Sequence, residues 1–139
     1  MGDKAMDAKH THLNMIQGVV NRLSNNSFLL KGWSVILVSG LVALGAKESK
    51  PVFIYIAYFP TLIFWMLDGY FLWQERLFRS LYDRVRVLNP DDIDYSMNTL
   101  VVHNSTPPWI SAVFSRTLLA FHGAVLITIV VAMLALIKS

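Results

Sequence analysis

Lys31, Asp68 and His122 stand out chemically because each is an ionisable exception in an apolar stretch. The stretches run roughly over residues 28–46, 51–73 and 109–137. An ammonium beside a carboxylate makes an ion pair, and an imidazole adds a hydrogen bond or a near-neutral titration. All three lie near the same end of their stretches. A charge at the centre of a bilayer costs about 2.5–3.5 kcal/mol on insertion scales. A long lysine escapes part of that cost by reaching the headgroups. Asp68 is shorter and needs a partner, a proton or water. We therefore expect Asp68 to pair with Lys31, within one chain or across a contact between chains. His122 is expected as a hydrogen-bond partner or a lumen residue.

Arg116 and His122 also match an R-x5-H spacing used by a group of helical ribonucleases. Two residue types at loose spacing are a weak signal, and a base must reach its substrate. No catalytic residue, and no enzyme activity, is assigned. Cysteine is absent, which excludes a disulfide or a thiolate metal site. Asp91, Asp92 and Asp94 read as an acidic helix cap, since a calcium loop needs more ligands and a glycine turn. No cofactor and no metal are expected.

These residues must be positioned by helices in lipid. Of the 139 residues, 55% are hydrophobic and only 15% charged. An ordinary soluble domain is about 25% charged. Phe28–Ala46, Pro51–Trp73 and Thr117–Ile137 each approach or exceed the length of about 20 residues that crosses the hydrocarbon. The expected fold is all-α, an integral membrane protein with three transmembrane helices and cytoplasmic amphipathic extensions. Its parts are a cytoplasmic amphipathic helix over 9–26, a first span over 28–46 and a second over 51–73. The second continues as a cytoplasmic helix to 88. A loop covers 89–108, and a third span covers 109–137.

Lys4, Lys9, Arg22 and Lys31 precede or open the first span, and Arg76, Arg79, Arg84, Arg86 and Arg116 separate the second and third. Only Lys47, Lys50 and Lys138 fall on the other side. The positive-inside rule then places the N-terminus in the cytoplasm and the C-terminus outside. No signal cleavage is expected, because the first apolar run begins only at Phe28. The isoelectric point of 9.3 fits this bias, so direct nucleic-acid binding is not expected.

Asn14, Gln17, Asn21 and Asn25 form an uncharged amide row. It reads either as a solvated face or as a surface that meets a neighbour or lines a wet passage. Ser24-Asn25-Asn26-Ser27 signals a break or kink before the first span. Gly32, Ser39 and Ala43 in the first span, and Ala120, Ala124, Thr128 and Ala132 in the third, mark helix contacts. Small residues let backbones approach closely in lipid. Pro60 should kink the second span. Glu75 with Arg79, and Arg79 with Asp83, are spaced as i,i+4 ion pairs.

The block His12-Leu13-Asn14-Met15-Ile16-Gln17, then Arg22, Asn26-Ser27-Phe28, and Lys31-Gly32-Trp33 resembles a family of small bacterial multi-span membrane proteins of largely unassigned function. Phe64-Trp65, Asp68, Tyr70-Phe71, Gln74-Glu75-Arg76, Arg79 and Leu81-Tyr82 resemble the same family. The resemblance implies a bacterial inner membrane location. A looser likeness, in size and in the R-x5-H spacing, is to the membrane-pore accessory protein of Cas13b-type RNA-guided antiviral systems. It implies an oligomeric pore that disturbs the membrane in antiviral defence. The expected function is an oligomeric pore or permeabilising effector, with the ionisable layer and amide row at its cytoplasmic mouth. The alternative is a membrane anchor whose cytoplasmic helices bind a soluble protein. Expected partners are membrane lipid and further copies of the chain.

Overall fold

A computed structural model describes residues 2–138. All regular structure among them is helical: α1 (Gly2–Glu48), α2 (Val52–Val87), α3 (Leu100–His103), α4 (Trp109–Val113) and α5 (Arg116–Lys138), with one 3-10 turn at Pro90–Asp92. Three of these helices, α1, α2 and α5, are long and apolar enough to cross a membrane.

The expected break at 24–27 does not occur. A single helix of 47 residues replaces the separate segments over 9–26 and 28–46. The reason is a seam of inward positions that never loses phase. Ile16, Val20, Ser34 and Val38 are buried, and Leu23, Ser27 and Leu30 are half-buried between them. Asn and Ser disfavour helix by only some tenths of a kcal/mol each. Continuous packing against α2 outweighs that local preference. Ser24, Asn25 and Asn26 sit on the exposed side.

α1 and α2 form a long antiparallel hairpin. α1 ends in a Schellman-type turn, with Lys50 N–H donating to the Gly45 carbonyl at 3.1 Å and Ser49 held at φ 51°. An L-residue there is strained, whereas glycine is not. Ser49→Gly should raise stability by about 0.5–1 kcal/mol. The shift in unfolding midpoint in detergent checks this, and an unchanged or lowered midpoint would contradict it.

The hairpin has two cores. In the apolar half, Val38, Ile54, Ala57 and Ile129 meet where α1, α2 and α5 converge. In the polar half, Ile16 packs with Leu77, Leu81, Val85, Ile93 and Val102. The segment after α2 is thus more than a loop. It straps across the hairpin, with Thr106 Oγ1 donating to Ser80 Oγ at 3.1 Å and Tyr95 edge-on to His12 at 5.5 Å. Lys9 reaches the end of α2 and donates to the carbonyls of Arg86 (2.8 Å) and Leu88 (2.7 Å). A cation on those free carbonyls suits the negative end of a helix.

α2 runs unbroken through Pro60. Glu75 and Arg79 pair at 2.8 Å as the spacing predicts, but Asp83 pairs forward with Arg86 at 3.2 Å rather than back to Arg79. The third apolar stretch is also different from expectation. It is split at Phe114–Ser115 into α4 and α5. The Val113 carbonyl instead accepts the Trp65 indole N–H at 2.9 Å.

Candidate functional site

The two cores are separated by a buried polar cluster. Asp68 comes from α2, Ser27 and Lys31 from α1, and His122 from α5. The Asp68 and His122 side chains are 0% and 1% exposed, while Lys31 retains 19%. The expected pairing is present within one chain. Lys31 Nζ lies 2.6 Å from Asp68 Oδ2 and also donates to Ser27 Oγ at 2.8 Å. Ser27 Oγ in turn donates to Asp68 Oδ1. His122 Nε2 is 3.0 Å from Asp68 Oδ2.

The tautomer follows from the acceptor. A carboxylate only accepts, so His122 carries its proton on Nε2. Nδ1 is buried without a partner. The cluster thus joins one ammonium, one carboxylate, one hydroxyl and one imidazole. Each acceptor oxygen of Asp68 is engaged.

A second ring of contacts fixes the imidazole. Trp65 lies parallel to it, at 5.7 Å between centroids and 9° between planes. Phe121 meets it edge-on at 5.0 Å. Trp65 is itself tied to α4 through Val113. The close approach of α4 depends on Gly69, because a Cβ there would lie 2.5 Å from Val113 Cγ2 and 3.1 Å from Val113 Cα.

Of the two roles expected for His122, the geometry within one chain is that of a hydrogen-bond partner. Lys31, Asp68 and His122 lock three helices together inside the chain, because a buried carboxylate draws in every donor within reach. Arg116 is exposed and His122 buried, so this pair shares no surface. Among the described residues, no group of three or more His, Cys, Asp or Glu could hold a metal ion.

The other predicted positions are spread over the surface. Asn14, Gln17, Asn21 and Asn25 are exposed, and Gln17 Nε2 donates to Asn21 Oδ1 at 3.1 Å. Gly32, Ser39, Ala43, Ala120, Ala124 and Thr128 are also exposed, and only Ala132 packs against the core. Their predicted close contact is not made within one chain. Ser39, Ala124 and Thr128 instead line the open seam between α1 and α5.

Sequence reasoning misses Ser27, Trp65 and Gly69. Ser27 reads as part of a break and Trp65 as an interfacial anchor. The position of Trp65 one turn from Asp68 is the available signal. Comparison with protein-family models, curated proteins and solved structures found no match.

Proposed function

We propose that the chain is a subunit of a homo-oligomeric membrane pore or permeabilising effector, set in a bacterial inner membrane with its N-terminus in the cytoplasm. One observation carries this reading. Because α1 is continuous, its amide row and its small-residue row fall on one face. Asn14, Gln17, Asn21, Asn25, Gly32, Ser39 and Ala43 lie within about 60° of one line along the helix. Every one of them is exposed. A Cβ added at Gly18 or Gly32 would meet nothing within 4 Å. Small residues permit backbone contact between copies in lipid, and amides give an uncharged wet surface where the helices emerge. A single chain packs its three apolar helices around a side-chain core, so a water path needs several copies. The likeness to an antiviral pore protein supports a role in defence.

Induced expression should depolarise cells. Gly32→Leu should abolish the depolarisation without lowering membrane content or the unfolding midpoint, because a Cβ at position 32 meets nothing within its own chain and leucine favours helix over glycine. Single cysteines at Asn21 or Gly32 should cross-link copies, with no native cysteine to compete. A silent wild-type chain that remains a monomer or dimer would overturn the pore.

The second reading is an anchor for a soluble cytoplasmic protein. The separate core of the polar half favours it, since Ile16, Leu81, Ile93 and Val102 build an ordered platform beyond the apolar halves of α1 and α2. In that case Gly32→Leu would be neutral.

A further inference from the structure

The seam between α1 and α5 is an open apolar groove. Val35 and Ser39 form one wall and Phe121, Ala124 and Thr128 the other, enclosing about 230 Å³. Nearer the far end of the bundle, a second hollow of about 310 Å³ is lined by Ala46 and Ala132. The mouth of the groove lies beside the polar cluster, where Lys31 Nζ stands 5.9 Å from the centre of the Phe121 ring. An ammonium has three N–H donors. Two are committed to Asp68 and Ser27. The third is left on a side chain that is 19% exposed. Ser24 and Thr117, both exposed, precede Lys31 and Phe121 by two turns and one turn on the same helix faces.

We propose that this groove binds one phospholipid of the inner leaflet, with its phosphate at Lys31 and an acyl chain between α1 and α5. The proposal rests on the membrane placement above and not on pore formation. The unused ammonium N–H decides between a lipid and a helix from a second copy. Asp68 is the only acidic residue in the apolar stretches 28–46, 51–73 and 117–137, and it is buried. A second copy seated at this depth has no carboxylate to offer Lys31. Asp68 already serves as the counter-ion of Lys31, so what the mouth offers is hydrogen-bond donors, and a phosphate accepts from the third ammonium proton and from neighbouring hydroxyls. The small wall residues leave width for a hydrocarbon chain.

Native mass spectrometry of the detergent-purified full chain, titrated with phosphatidylglycerol, tests this. The wild-type chain should hold one lipid per copy. Ala124→Trp fills the groove from an exposed position and should weaken binding roughly tenfold or more. Ile127→Trp, on a face 65% exposed and outside the groove, should leave it unchanged. Equal binding by wild type and Ala124→Trp would overturn the site. So would Thr128→Cys cross-linking between copies, which would seat a helix there. Release of the chain by alkaline extraction would refute the membrane placement itself, whereas loss of conductance alone would leave the lipid result standing.

Discussion

Replacing Lys31 with Met should destabilise the folded chain by about 3–5 kcal/mol, the range for a buried ion pair that loses one partner. The Asp68 carboxylate is fully buried, and without Lys31 it keeps only the Ser27 hydroxyl and the His122 imidazole. Asp68→Asn should cost less. Lys31 is partly exposed, so a released ammonium can extend to headgroups or water. The amide can still accept from Ser27. Asp68→Lys sets two cations together and should prevent folding or assembly, and adding Lys31→Asp should restore part of what is lost. Unfolding midpoints in graded denaturing detergent give the order. Equal costs for Lys31→Met and Asp68→Asn, or no recovery in the double reversal, would remove the ion pair as the organising contact.

Gly69→Ala should produce the next largest effect. The added methyl would meet not only the movable end of Val113 but its Cα at 3.1 Å, so α4 must shift as a body. Overpacking of this kind costs about 1–3 kcal/mol. The shift also threatens the bond from Trp65 to the Val113 carbonyl, and with it the ring that lies along His122. Lower stability should therefore come with altered tryptophan fluorescence. Gly32→Ala is the control. Nothing lies within 4 Å of that position, and alanine favours helix by about 1 kcal/mol over glycine. Two equally neutral variants would show that α4 does not depend on the close approach.

The sequence made the ionisable trio legible because ionisable groups are rare in apolar helices. Their spacing from one end of each stretch placed them at one depth. It could not show that the trio closes on itself, since that depends on which helix faces converge. Ser27 was hidden by its neighbours: a Ser-Asn run reads as a turn, and only packing against α2 keeps it helical. Trp65 was hidden by a familiar alternative role at membrane boundaries. The split at Phe114–Ser115 carries no proline or glycine to announce it. It is created by a donor from another helix, and no local pattern encodes that. The antiparallel hairpin was legible in outline, because two apolar stripes flank the connection from opposite sides. The strap over it, and the grip of Lys9 on the end of α2, arise from tertiary contacts alone.

The unbroken course of α1 has a mechanical meaning. At about 1.5 Å per residue the helix is about 70 Å long, roughly twice the hydrocarbon thickness. A rod without a hinge cannot absorb torque along its length. A turn of a few degrees applied to α1 near Gln17 is carried along the same rod toward Ala43, against the electrostatic pin at Lys31. The chain is thus built as a shaft, with the polar half of α1 as its handle and the apolar half as its working end.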